Sequence, residues 1–253
     1  MAARSEALEI DVEGEQIAGT FLEPLAKMPG VLFVHGWGGS QEFDLTKAKD
    51  LAGLGCICLS FDLRGHGETL AQQQTVTREH NLKDLLAAYD RLVEHPHTDR
   101  SSIGVVGTSY GGYLSAILTS LRPVKWLALR VPALYRDEDW HLPKRKLDRD
   151  ELNRYRNSRV TPKENRALAA CAAFTGDVLI VESEHDAFVP HETIMNYRAA
   201  LQKTHSLTHR IIDGADHGLS EEHSRQAWKD ILVSWAEEMV IGARLGERRD
   251  RYL

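Results

Sequence analysis

A chain of 253 residues, 42% apolar and 27% charged, has the composition of a globular protein long enough to bury a substantial core. Its formal charge of -6 gives no electrostatic reason to bind nucleic acid or an anionic membrane, and no apolar run approaches the ~18 residues needed to cross a bilayer. Met1 to Ile10 carries Arg4, Glu6 and Glu9 without an apolar leader core, and Cys56, Cys58 and Cys171 lack metal-ligand spacing, so the expected setting is cytoplasmic and reduced.

Ser5–Val12 and Gln16–Leu22 are alternating runs separated by Glu13-Gly14-Glu15, which predicts an antiparallel hairpin. After Pro24 to Gly30, the continuous apolar run Val31–Val34 has the pattern of a strand buried in a parallel sheet. Asp44–Leu54 repeats Leu45, Ala48, Leu51 and Ala52 at helical spacing and stops at Gly55. Cys56–Phe61 follows as a strand, with Cys56 and Cys58 turned to one face as small apolar residues. Thr77–Val93 is an amphipathic helix with Leu82, Leu85, Leu86, Tyr89 and Leu92 on one stripe. Next come the strand Ile103–Val106, a helix after Ser109 and a strand at Trp126–Val131.

The alternation then breaks. Pro132–Gly176 holds a dense mixed-charge run and is expected to be a lid, at about 133–176, inserted into one domain spanning 1–253, too short and too charged to hold much core. Within it, Thr161-Pro162-Lys163-Glu164 has the cap, proline and glutamate of a helix start. The bases Lys144, Arg145, Lys146, Arg149, Arg154, Arg156 and Arg159 face a comparable set of acids. The pattern fits a solvated surface, with a clamp for an anionic substrate as the alternative. Strand–helix alternation resumes with Val178–Glu182, a helix from about His191 to Leu201, Thr208–Ile212 and a last helix Glu221–Ile241 with Trp228, Ile231, Leu232, Trp235 and Met239 on one face. Such alternation after a hairpin predicts an α/β fold, mostly parallel, with helices on both faces of the sheet.

Gly107-Thr108-Ser109-Tyr110-Gly111 falls between the strand Ile103–Val106 and the apolar stretch Tyr113–Leu118. A serine on a sharp strand-to-helix turn has its hydroxyl lifted above the sheet beside backbone N–H groups. A serine hydroxyl needs a base, and the base needs an orienting partner. Loops after later strands offer both: Glu182, Glu184 and Asp186 lie in one loop, and His217 follows the last strand beside Asp213 and Asp216, which are closer to a loop-shaping role. The N–H of Tyr110 and that of Trp37, in His35-Gly36-Trp37-Gly38-Gly39, are candidates for an oxyanion hole. Asp62, Arg64 and His66 are expected to brace their loop, and His35 to support the glycine-rich one. Arg130 ends a strand on the same edge and is a candidate for a substrate carboxylate or a salt bridge. Trp140, Tyr135 and Phe188 are candidates to line an acyl pocket.

Together these segments, with Asp62-Leu63-Arg64-Gly65-His66-Gly67, Asp186-Ala187-Phe188-Val189-Pro190 and Asp216-His217-Gly218, resemble the α/β-hydrolase superfamily, in its dienelactone-hydrolase-like, serine-aminopeptidase-like and feruloyl-esterase-like branch. Dienelactone hydrolases usually carry cysteine where this chain has Ser109. The resemblance implies a serine hydrolase with Ser109, His217 and Asp186 as nucleophile, base and acid, and the Asp-x-x-Val-Pro pattern singles out Asp186 over Glu182 and Glu184. It implies hydrolysis of a small-molecule carboxylic ester with no cofactor or metal and no nucleic-acid or membrane partner. An exopeptidase or amidase is the first alternative, and a non-catalytic ligand receptor the second.

Overall fold

In the computed structural model, which describes residues 4–23 and 28–250 and the side chains of 5–22 and 28–242, the chain opens on an antiparallel hairpin. β1 (Arg4–Val12) and β2 (Glu15–Glu23) close in the register Val12↔Glu15, which leaves Glu13 and Gly14 as the turn. Both residues have positive φ, 56° and 83°, the mirror-image turn whose twist suits a hairpin. Pro24 to Lys27 of the next loop lie outside the described residues.

The strands β3 (Met28–Val34), β4 (Ile57–Phe61), β5 (Thr98–Thr108), β6 (Trp126–Arg130), β7 (Asp177–His185) and β8 (Ser206–Asp216) complete one sheet in the order β1-β2-β4-β3-β5-β6-β7-β8. Only β1–β2 and β2–β4 pair antiparallel; the other pairs are parallel. All parallel strands therefore deliver their carboxyl ends to one edge, where ligand-handling loops gather in such folds.

Each face of the sheet has its own helices. α1 (Glu42–Gly53) and α7 (Glu222–Asp250) cover one face, packing Leu51, Trp228, Leu232 and Trp235 with Cys56 and Cys58. Both cysteines turn to that face, and all three cysteines are buried. α7 continues to Asp250, beyond the Ile241 expected from its pattern. The other face carries α2 (Arg78–Glu94), α3 (Tyr110–Leu118), α5 (Arg166–Ala173) and α6 (His191–Ala200). α2 starts at a reciprocal cap, in which the Thr77 hydroxyl accepts from His80 N–H and His80 Nδ1 accepts from Thr77 N–H. Among the described residues no helix is long and apolar enough to cross a membrane.

The stretch between β6 and β7 departs from expectation in two ways. It contributes substantially to the core: Leu134, Tyr135, Trp140, Val160, Leu168 and Cys171 are buried in the same cluster as α2 and α3. Within it α4 (Arg149–Arg156) forms, capped by Asp148, with Arg156 buried. The second departure is the helix start. Thr161 donates from both N–H and hydroxyl to the Glu164 carboxylate at 2.9 and 2.6 Å. The two residues thus close a turn on each other. Asn165 instead accepts from the N–H groups of Ala167 and Leu168, so α5 begins at Arg166.

Candidate active site

Ser109 stands where β5 becomes α3, with φ 52° and ψ -111°, a conformation that non-glycine residues adopt only under surrounding constraint. Three bonds supply that constraint. Ser109 N–H donates to the Arg130 carbonyl at 2.9 Å, and the Ser109 carbonyl accepts from Tyr113 and Ala133 N–H at 3.1 and 2.9 Å. The flanking glycines are required by space. A Cβ on Gly107 would lie 2.7 Å from the Gly112 Cα, and one on Gly111 would collide with the Val34 and His35 carbonyls. The turn is thus pressed against the carboxyl end of β3, where the glycine-rich loop starts.

His217, one residue past β8, faces Ser109: its Nε2 lies 3.0 Å from Ser109 Oγ. Its Nδ1 lies 2.7 Å from Asp186 Oδ2. A carboxylate only accepts, so Nδ1 carries the proton and Nε2 presents a lone pair to the hydroxyl. Asp186, one residue past β7, is held by Phe188 and Val189 N–H groups, both donating to Oδ1 at 2.8 and 2.7 Å. The neighbouring acids are engaged elsewhere. Glu182 meets His191 and His209 at 2.7 and 3.2 Å, and Glu184 accepts from Gly214 N–H at 2.6 Å. Asp216 accepts from the N–H and hydroxyl of Ser220 and shapes the loop. A hydroxyl, an imidazole and a carboxylate in this sequence form a proton-transfer chain suited to activating the hydroxyl.

The loop beside Ser109 is fixed through His35. Leu63 N–H donates to His35 Nε2 at 3.1 Å, so Nδ1 bears the proton and donates to the Gly36 carbonyl at 2.8 Å. Gly39 N–H donates to the same oxygen at 2.9 Å. A trans peptide sets its N–H opposite its C=O, so pinning the Gly36 carbonyl also orients the Trp37 N–H. The Trp37 indole is set edge-on to His66 and Tyr110, with centroids 4.8 and 5.5 Å away. Tyr110 is buried, and its hydroxyl donates to Asn81 Oδ1 at 2.9 Å. Its own N–H opens α3 and so has no acceptor within the helix. Burial holds His35 below its ordinary value and pushes His66 down to about 4, with the neighbouring His35 and Lys144 adding to the latter shift. Asp62 accepts from Gln41 N–H at 2.7 Å, and Arg64 Nε donates to the buried Asp84 at 2.6 Å. These residues brace their loop.

A cavity of about 580 Å³ opens beside Ser109 and His217 between α1 and α7, lined also by Phe43, Leu219, Trp228 and Trp37. It lies on the face away from the stretch between β6 and β7. The proposed pocket aromatics are not on its wall. Trp140 is buried in the core with Arg166 Cζ 3.9 Å over its ring and Arg78 Cζ at 6.0 Å, so its apolar surface is taken up by core packing. Tyr135 is buried between Tyr110 and Tyr113. Phe188 is 62% exposed and packs edge-on to the His217 ring, 5.2 Å away. Arg130 lines the cavity but forms no ion pair among the described residues. Its Nη2 donates to the His217 carbonyl at 2.5 Å, and burial pushes its guanidinium down to about 10, against the pull of Asp186, Asp44 and Asp216. Among the described residues no cluster of His, Cys, Asp or Glu is placed to hold a metal ion.

Lys144, one of the bases of the alternative anionic clamp, brings its ammonium to 4.3 Å from the Trp37 ring centroid. Neither Asn81 nor the α7 residues of the cavity carry a site signal in the sequence. Only the apolar stripe of α7 hinted that it packs beside the site.

The family model for the prolyl oligopeptidase family matches residues 41–242, and the chain belongs to that family. A curated relative, the pimeloyl-[acyl-carrier protein] methyl ester esterase of Chromobacterium violaceum, is 35% identical over 124 residues, 47% of this chain and 44% of that protein. The match thus spans less than half of the relative's length. Among solved structures, the dienelactone hydrolase of Anabaena variabilis superposes with a TM-score of 0.67 at 20% identity, covering 93% of this chain and 97% of that one. The acylaminoacyl peptidase of Pyrococcus horikoshii superposes with a TM-score of 0.70 at 16% identity, covering 94% of this chain but 41% of the other. These likenesses give the α/β-hydrolase fold, and the chain is a serine hydrolase of that superfamily.

Proposed function

We propose that the chain cleaves a carboxylic ester of a small molecule through a Ser109–His217–Asp186 triad and an acyl-enzyme. One observation carries the reading: the unbroken chain of contacts from Asp186 Oδ2 through His217 to Ser109 Oγ, at 2.7 and 3.0 Å. His217 Nε2 takes the hydroxyl proton as Ser109 Oγ attacks the ester carbonyl. Trp37 and Tyr110 N–H groups receive the oxyanion. Asp186 keeps Nδ1 protonated and stabilises the imidazolium. His217 then protonates the departing alkoxide. Water, deprotonated by the same nitrogen, resolves the acyl-enzyme and frees Ser109. Protein groups and water suffice for every step.

The segment at 133–176 is read as an insertion that flanks Ser109 on the side opposite the cavity, within one domain of 1–253. The three buried cysteines suit a reducing cytoplasm. A fluorophosphonate probe should label Ser109, with p-nitrophenyl ester turnover lost in proportion to labelling. Labelling at another serine, or turnover that survives full labelling, would overturn the assignment.

Membership of a peptidase family favours a second reading, cleavage of an amide beside a free amine. Aminoacyl-naphthylamides tested beside p-nitrophenyl esters of equal size separate the two, since the ester reading requires the larger kcat/KM on the esters.

A further inference from the structure

Opposite the cavity, three cations surround Tyr135. Arg78 is fully buried and Arg156 is 7% exposed. Their guanidinium carbons lie 5.3 and 4.8 Å from the Tyr135 ring centroid, and the half-buried Lys144 brings its ammonium to 5.5 Å. None of the three has a carboxylate within salt-bridge reach among the described residues. Neutral groups hold them instead. Arg78 donates to the Arg136 and Asp139 carbonyls, and its Nε is buried without an acceptor. Arg156 Nε and Nη1 donate to the Leu134 and Phe188 carbonyls at 3.1 and 2.8 Å, leaving Nη2 uncommitted. Lys144 lies over the Trp37 and Tyr110 rings, at 4.3 and 5.4 Å.

Burying charge without a counter-charge is costly, and groups kept that way await an opposite one. The phenol of Tyr135 registers the imbalance. Burial alone would raise it, but Lys144, Arg156 and Arg78 more than offset that and draw it below its ordinary value. On the cavity side most cations are paired: Lys47 with Asp44 at 3.1 Å, Arg225 with Glu222 at 2.6 Å and Lys229 with Asp50 at 3.6 Å, while Arg130 there is a single buried cation held by the His217 carbonyl and not part of a cluster.

The cluster also touches both ends of the reaction centre. Lys144 covers Trp37, the proposed oxyanion donor. Phe188, which holds Arg156 through its carbonyl, packs on His217.

We propose that Lys144 and Arg156, backed by Arg78, form the subsite for a carboxylate carried by the substrate, so that the substrate class is a half-ester: an ester with a free carboxylate on the same molecule. The proposal rests on the hydrolytic reading above. A carboxylate accepting from Lys144 Nζ and Arg156 Nη2 supplies the counter-charge the cluster lacks. A neutral ester of the same length supplies none.

Mono-p-nitrophenyl glutarate and p-nitrophenyl valerate share acyl chain length and differ in the terminal carboxylate. The wild-type kcat/KM should favour the glutarate at least about tenfold, the scale of a hydrogen bond to a charged group. Lys144→Gln should abolish that ratio, and Lys144→Arg should keep most of it. A wild-type ratio near one overturns the proposal, as does a Lys144→Gln protein that loses both esters in proportion. Binding of the two esters to Ser109→Ala protein, followed by calorimetry, separates this from the hydrolytic reading. Selective, Lys144-dependent glutarate binding with no turnover of either ester by wild type keeps the subsite and sinks the hydrolase. Turnover of both esters without discrimination does the reverse.

Discussion

Two unlike regions flank Ser109. On the α1–α7 side is a cavity of about 580 Å³ where Lys47, Arg225 and Lys229 are paired with carboxylates and Arg130 is held by the His217 carbonyl. On the side of the stretch between β6 and β7, Arg136 and Arg166 are paired with carboxylates, but Arg78, Lys144 and Arg156 meet rings and carbonyls. The same residue types thus do different things. Paired at a rim, they set solubility and local hydration. Packed and unpaired, they create a positive field with a fixed direction, because buried charge is screened far less than exposed charge.

The comparison breaks outright if Ser109 is not its centre. Ser109→Ala should lower ester kcat/KM by about 10⁴-fold or more with the fold retained, measured by stopped-assay hydrolysis beside circular dichroism. Next in size, Asp186→Asn should cost about 10³-fold by letting His217 adopt the wrong tautomer. Glu184→Gln, which only weakens the hold on Gly214, should cost less than about threefold. Equal losses for these two acids would mean that the loop as a whole, rather than one carboxylate, matters.

The Lys144 side carries a pH signature. His66, beneath Trp37, is pushed down to about 4, first by burial and then by His35 and Lys144. The unfolded chain binds a proton near pH 6.5, the native chain only near 4, so stability falls as pH drops through that window and levels off below it. The total loss is about 3 kcal/mol. Urea midpoints of wild type and His66→Gln, compared between pH 7 and 4, should converge on acidification. A gap that stays constant would remove His66 from the account.

The paired side should be quiet by contrast. Lys47→Gln should change the glutarate-to-valerate ratio by less than about twofold, since its ammonium is already bound to Asp44 and the Phe43 carbonyl. A loss as large as that expected for Lys144→Gln would erase the distinction between the two regions. Smallest of all, Asn165→Ala should destabilise by about 1 kcal/mol and Thr161→Ala by only a few tenths in urea unfolding, because α5 takes its cap from Asn165.

Much of the fold was legible because its signals are local. The alternating hairpin, the apolar runs of β3 to β7 and the glycine-framed Ser109 all depend on neighbours within a few residues. The order of serine, acid and histidine was legible too, since parallel strands bring their following loops to one edge. Elsewhere local signals competed. Thr161 and Glu164 fit a helix start equally well as a self-contained turn, and only Asn165, placed for the next two N–H groups, decides between them. Direction was the other obstacle. Lys144 sits in a run of charges identical in composition to a solvated surface, and its partners Trp37 and Tyr110 are distant in sequence. The cavity was hidden for the same reason, as its walls come from α1 and α7, at opposite ends of the chain.

Arg130 acts as a caliper. Its carbonyl grips the N–H of Ser109, and its guanidinium grips the carbonyl of His217. Ser109 and His217 come from loops that are far apart along the chain, yet the gap between them is gauged by the covalent length of one side chain at the end of β6. Loop motions that shift either group must stretch the same span, so the 3.0 Å approach of Nε2 to Oγ has a reference inside the sheet and does not depend on the two loops agreeing independently.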